Sequence, residues 1–85
     1  MYHTHELARE PRVLEIAGRK RSAMRADVAD GKFPPPVKIG RNSVWPLDEV
    51  RALNAARIAG ATDDELRELV GRMVAARRAQ MPQAA

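Results

Sequence analysis

The stretch GKFPPPVKIGRNSVWP, residues 31–46, decides the fold. Pro34, Pro35 and Pro36 cannot continue a helix and cannot donate to a β-ladder, so they predict an extended, polyproline-like connector. Val37 and Ile39 then alternate with Lys38, which is the period of a strand. The next four residues carry turn chemistry, with Gly40 and Asn42 tolerating the positive φ that a hairpin needs. Val44 and Trp45 return as a second strand, and Pro46 closes it. The expectation is a two-stranded basic wing whose tip holds Lys38, Arg41, Asn42 and Ser43. A lone hairpin is marginal in water, so Phe33 and Trp45 are expected to anchor the wing. The stiff connector fixes its direction.

Working outward toward the N-terminus, Pro11 suits the first turn of a helix, where its missing N–H costs nothing. Val13, Leu14 and Ala17 give that helix an apolar face, with Leu7 contributing, and Gly18 permits a left-handed C-cap. A second short helix spans residues 22–29, with Met24 and Val28 at i,i+4 on one face, and Asp30 and Gly31 end it. Two short helices joined by a tight Gly-containing turn form a helix-turn-helix. Residues 1–10 show weak periodicity and are expected to be frayed. Toward the C-terminus a third helix starts near Asp48, a candidate N-cap, with Glu49 in the first turn where the helix dipole favours a carboxylate. Leu47, Val50, Leu53 and Ile58 supply its apolar contacts and Gly60 stops it. Thr62 to Glu65 reads as a capping box. It opens a fourth helix with Leu66, Leu69, Val70, Met73 and Val74 at i, i+3, i+4, i+7, i+8. The fold class is mainly α with a small β wing: a winged helix-turn-helix over 11–60, a C-terminal amphipathic helix over 61–80 and a tail over 81–85.

At 85 residues one domain is expected, burying only about 60–65% of its unfolded surface. The absence of cysteine excludes disulfides and thiolate zinc sites and fits a reducing, cytoplasmic compartment. No apolar run approaches the roughly 20 residues of a membrane span, and the N-terminus lacks the apolar core of a signal peptide. Net charge is +4, from 15 basic and 11 acidic side chains, and it is unevenly spread. Residues 19–41 hold seven basic and two acidic side chains, while the rest of the chain is nearly balanced. A solvated face mixes signs; a one-sided segment is a footprint for a polyanion.

The order helix, turn, helix, proline connector, basic wing, Trp, helix resembles the AlpA family of phage regulatory proteins, itself similar to small excisionases and to the MerR-type DNA-binding domain. The resemblance covers residues 13–60. Gly31, Phe33, Pro34, Pro36, Val37, Lys38, Ile39, Gly40, Trp45, Glu49 and Val50 match the family pattern, and Asp48 stands where the family often has Ser. At the entry to the second helix, where the family has a hydroxyl-rich Ser-Arg-Ser-Thr-Ile-Tyr, this chain reads KRSAMR. Arg21 and Ser22 match, whereas Lys20, Ala23 and Arg25 replace Ser, Thr and Tyr.

The resemblance implies double-stranded DNA as partner, met by Lys20, Arg21, Ser22, Ala23 and Arg25 of the second helix and by Lys38, Arg41, Asn42 and Ser43 of the wing. Arginine pairs with guanine O6 and N7 and specifies sequence; phosphate contacts position the protein. Arg21 and Arg25 take the first role, and Lys20, Lys38 and Arg41 the second. The apolar stripe of the fourth helix suggests a homodimer, slightly favoured over a monomer.

Other signals are weaker. His3-x-His5 lacks the further ligands of a metal site. Trp45 is read as core before base-stacking platform, and the proline run as connector before SH3-type ligand. No nucleophile–base–orienter set or phosphate-cradling glycine loop appears, so neither enzyme nor cofactor is expected. Three functions stay open: a transcriptional regulator, an excisionase-like factor that bends DNA, and a protein-interaction module without DNA binding. A recombinase or RNA polymerase is a candidate protein partner.

Overall fold

A computed structural model describes residues 5–82. The elements run β1 (Leu7–Arg9), α1 (Glu10–Ala17), α2 (Arg21–Ala29), β2 (Val37–Ile39), β3 (Asn42–Pro46), α3 (Leu47–Ile58) and α4 (Asp63–Ala79). The chain is mainly helical, a winged helix-turn-helix with an added C-terminal helix.

Gly18 ends α1 with φ 64°, its amide donating to the Glu15 carbonyl and the Arg19 amide to the Leu14 carbonyl. That left-handed residue turns the chain sharply, so α2 starts only three residues later. The Asn54 side chain donates to the Ile16 carbonyl at 2.9 Å, tying the end of α1 to α3. In the wing Val37, Lys38 and Ile39 pair with Val44, Ser43 and Asn42, leaving only Gly40 and Arg41 in the turn. Gly40 has φ 60°, and no non-glycine described residue has positive φ. Positive φ at the first central position alone is the II′ pattern, whose twist matches that of the strands. Asn42, expected to share the turn, lies in β3.

The sheet has three strands, not two: β3 is central and β1 pairs with its other edge, Leu7, Ala8 and Arg9 against Pro46, Trp45 and Val44. The frayed segment expected over 1–10 is therefore corrected from Leu7 onward, residues 1–4 lying outside the described residues. The pairing satisfies backbone groups that fraying would leave to water, and it buries Ala8 beside Trp45. The start of α3 is corrected too. The helix begins at Leu47, with Pro46 rather than Asp48 at the cap and no side-chain cap bond. The Leu47 amide instead donates to the Glu6 carbonyl at 2.8 Å. The residue just before β1 thus satisfies the first amide of the helix, one of those left without an intrahelical partner.

One core joins these elements. Val13, Met24, Phe33, Trp45, Leu47, Val50 and Leu53 are essentially inaccessible, with Leu66 and Val70 of α4 beside them. Burying a side chain such as Phe33 stabilises by about 1.5–3 kcal/mol. Trp45 Nε1 donates to the Pro34 carbonyl at 2.9 Å, so the anchor also fixes the connector. Two expected contacts fail: Leu7 is half exposed and Ile58 is 87% exposed. Arg57 in the same turn faces Asp27, which turns Ile58 outward.

Helix α4 has both halves of its capping box, Thr62 Oγ1 accepting from Glu65 N at 3.2 Å and Glu65 Oε1 from Thr62 N at 2.9 Å. It lies back on its own domain. Leu66 and Val70 are buried and Leu69 partly so, whereas Met73 is only half-buried and Val74 exposed. The stripe that suggested a homodimer is thus mostly covered within the chain. The Arg77 guanidinium completes the docking, reaching both Glu49 oxygens at 2.9 and 2.6 Å and the Pro35 carbonyl at 2.8 Å.

Candidate nucleic-acid interface

The seven cations of residues 19–41 divide into two groups. Arg19 is held 2.6 Å from the buried Asp27 carboxylate, which also meets Arg57 at 3.3 Å. Lys32 lies between Asp30 and Asp63 at 3.2 and 3.7 Å. Arg67 donates to Asp30 as well, and this bond first, with Lys32 second, holds the Asp30 carboxyl below its ordinary range. These two cations belong to the scaffold. The other five, Lys20, Arg21, Arg25, Lys38 and Arg41, are exposed on α2 and the wing.

Lys20 is the N-cap of α2, with extended φ −81° and ψ 156° and no side-chain cap bond. Arg21 and Ser22 open the helix exposed, and Ala23 is half-buried. Arg25 follows one turn after Arg21 on the same helical face. No acidic residue occupies the first turn, so the positive end of the helix dipole is unopposed there by α2 itself.

On the wing, Lys38 Nζ donates to Ser43 Oγ at 2.6 Å across the strands. Ser43 and Trp45 line one wall of a cleft of about 210 Å3, with Met24, Arg25 and Val28 of α2 opposite and Glu10 and Pro36 completing the lining. Arg41 sits at the exposed turn. Asn42 pairs with Ile39, and strand alternation puts both on the sheet face away from that cleft. The structure thus brings Lys38 and Ser43 to the α2 side and leaves Asn42 behind. Trp45 is core and is not available for stacking.

Glu10 escapes notice in the sequence. It is the first residue of α1, where the helix dipole favours a carboxylate. Arg21 Nε approaches its Oε1 at 2.7 Å, and an Arg25 terminal nitrogen lies 3.4 Å from both oxygens. No local pattern signals contacts at separations of 11 and 15 residues.

Among the described residues no group of three or more His, Cys, Asp or Glu side chains could hold a metal. His3 lies outside them, and His5 Nδ1 is 3.6 Å from an Asp48 oxygen. No described helix is long and apolar enough to cross a membrane.

A family described as prophage CP4-57 regulatory protein (AlpA) matches residues 6–57. Those limits run from just before β1 to the last turn of α3 and leave α4 outside. Among curated proteins, the uncharacterized protein ORF88 of Enterobacteria phage P4 is similar, 42% identical over 53 residues. The chain spans about 60% of that relative's length, using 61% of its own. No solved structure matches the chain.

Proposed function

Because the chain belongs to the AlpA family of prophage regulatory proteins, more than half of it being matched, we propose that it is a sequence-specific DNA-binding transcriptional regulator. The observation that carries this reading is the sorting of the cations. The two least exposed basic side chains of the charged segment, Arg19 and Lys32, pair with Asp27 and with Asp30 and Asp63, and the five exposed ones gather on α2 and the wing, where Arg21 and Arg25 share the single carboxylate of Glu10. A solvated surface has no reason to sort them so.

In this reading α2, nine residues long and so about 13 Å, enters the major groove by its N-terminal end. Arg21 and Arg25 read guanine edges. Lys20, Ser22 and the first-turn amides meet phosphates, and Lys38 and Arg41 of the wing meet the backbone flanking the groove. Acting on DNA places the protein at the nucleoid. The excisionase-like alternative uses the same interface and adds DNA bending. It is favoured by Leu7 and Ile39, exposed on the sheet face away from the cleft, since a recombinase needs a surface apart from DNA. A homodimer through α4 would have little beyond Met73 and Val74, so we read the bound species as a monomer.

Selection of bound duplexes from a random library, followed by titration at several salt concentrations, tests the reading. A recurrent motif and a negative salt slope of about 0.9 per phosphate neutralised are expected. Binding without sequence enrichment, but with bending in a permuted-site gel assay, would favour the architectural role. Absence of salt-dependent binding would overturn both.

A further inference from the structure

We propose that Glu10 is a positioning residue for the DNA-reading arginines: it biases Arg21 and Arg25 toward base edges and against phosphates, and so sets the selectivity of the interface. The inference rests on the assignment of α2 as the recognition helix.

The Glu10 carboxylate is the fixed member of the cluster. Its side chain is 17% exposed, whereas those of Arg21 and Arg25 are 61% and 65% exposed. Its backbone follows β1, which is held by pairing to β3. Among the described residues neither arginine has another carboxylate within ion-pair distance. Both guanidinium groups are therefore drawn toward one point beside the α2 cleft.

That point carries negative charge, and this discriminates between the two kinds of DNA acceptor. A phosphate approaching Arg21 or Arg25 would be repelled by Glu10. Guanine O6 and N7 are uncharged, so a guanidinium can hydrogen-bond them while keeping its contact with the carboxylate. Exposed ion pairs are weak, so Glu10 steers the arginines without locking them. A good bidentate base contact discriminates by a factor of about 5–150, and the weak pair leaves each guanidinium free to turn its remaining N–H groups to the base. Without Glu10 the same arginines become ordinary phosphate ligands: affinity for any duplex rises and discrimination falls.

The test measures affinity for the selected site and for a scrambled duplex, over a range of salt. Glu10→Gln keeps the shape and an acceptor for Arg25 while removing the charge. Glu6→Gln removes an equal charge from the exposed pair with Arg12. Glu10→Gln is expected to bind scrambled DNA roughly tenfold tighter, with a salt slope steeper by about 0.9 for each of the two arginines that takes up a phosphate. The selected site should gain much less, so the ratio of the two affinities falls several-fold. Glu6→Gln should leave that ratio within about twofold. Glu10→Asp keeps the charge on a shorter arm and should lower the ratio without steepening the slope. An equal rise on both duplexes for Glu10→Gln would show a mere net-charge effect and overturn the proposal, as would a wild-type ratio in Glu10→Asp. A wild-type protein without salt-dependent binding would instead remove the DNA reading itself.

Discussion

Arg77 and Arg25 are both helical arginines with a glutamate partner on another element, yet they are used in opposite ways. Arg77 is 21% exposed and grips both oxygens of Glu49, whose own side chain is 7% exposed. Arg25 is 65% exposed and hovers 3.4 Å from Glu10. The first pair is shielded, bidentate and reinforced by the Pro35 carbonyl, so it locks α4 and the connector together. The second is wet and loose, and such a pair contributes only about 0–1 kcal/mol. The contrast teaches that a basic residue's role follows its own exposure and how firmly its partner grips it. A guanidinium that stabilises the fold cannot leave its carboxylate cheaply; one that greets a ligand must be able to.

The largest expected effects lie on the buried side of this contrast. Trp45→Ala removes the anchor of wing and connector and should cost about 3–5 kcal/mol in chemical denaturation. Arg77→Ala strands the Glu49 charge in a site with little water, and breaking such a pair costs about 3–5 kcal/mol. Arg77 itself is partly exposed, so the lower end is expected. Both variants should bind DNA normally in proportion to their folded fraction. A folded Trp45→Ala that has lost binding would instead make Trp45 a DNA contact. An Arg77→Ala variant of wild-type stability would erase the contrast.

On the exposed side the readout inverts. Arg25→Ala and Arg21→Ala should each leave stability within about 0.5 kcal/mol. Each should weaken binding to the selected site by about 1–3 kcal/mol and relax preference at one base pair. If both bind the wild-type site normally, α2 is not the recognition helix.

How much of this was legible depends on how local each signal is. The connector and wing could be read from residues 34–46 because proline, glycine and strict alternation act within a few residues. The α1–α2 turn at Gly18 and the Thr62–Glu65 capping box were legible for the same reason. Strand β1 was not: three residues are too few for a period, and its partners lie more than thirty residues away. The stripe of α4 was visible but its covering was not, since that depends on Leu66 and Val70 meeting a core assembled elsewhere and on Arg77 finding Glu49. At the interface, one-sided charge singled out residues 19–41. It could not say that Arg19 and Lys32 serve the scaffold, or that Glu10 stands among the arginines, because both facts are set by tertiary proximity.

A smaller effect is expected at the wing. Lys38→Ala and Arg41→Ala should weaken binding to all duplexes alike and reduce the salt slope by about 1 each. The structure sharpens the comparison between them. Lys38 already donates to Ser43 and is partly oriented, whereas Arg41 at the turn tip has no recorded partner among the described residues. Asn42→Ala, on the far face of the sheet, should change neither slope nor affinity. An Asn42 effect as large as that of Arg41 would mean that DNA also reaches the sheet face away from the cleft.

The smallest expected effect concerns acid. Asp30 sits at the end of α2 and donates nothing when ionised; it accepts from Arg67, and that bond first, with Lys32 adding to it, lowers its carboxyl below the ordinary range. Glu65 is lowered by the Thr62 backbone amide and, second, by the Thr62 side chain. A carboxyl whose pKa is depressed on folding binds its proton more weakly in the native state than in the unfolded chain. It therefore contributes stability above its unfolded pKa, and that contribution fades as pH falls through the folded one. Stability should thus be flat from neutral pH to the top of the carboxylate range and decline below it. Both groups are solvent-exposed, so the decline should be shallow and weaker at high salt. Asp30→Asn should flatten the Asp30 part of the profile, and Thr62→Ala, which keeps the backbone amide, should trim only the lesser, side-chain share of the Glu65 part while lowering stability by about 1 kcal/mol through loss of the cap. DNA affinity at neutral pH should be unchanged in both, because Asp30 fastens α4 to the end of α2 remote from Arg21 and Glu65 caps α4 itself. If Asp30→Asn impaired binding as strongly as Arg25→Ala, the junction of α2 and α4 would belong to the exposed side of the contrast, and the division between fastened and free cations would have to be redrawn there.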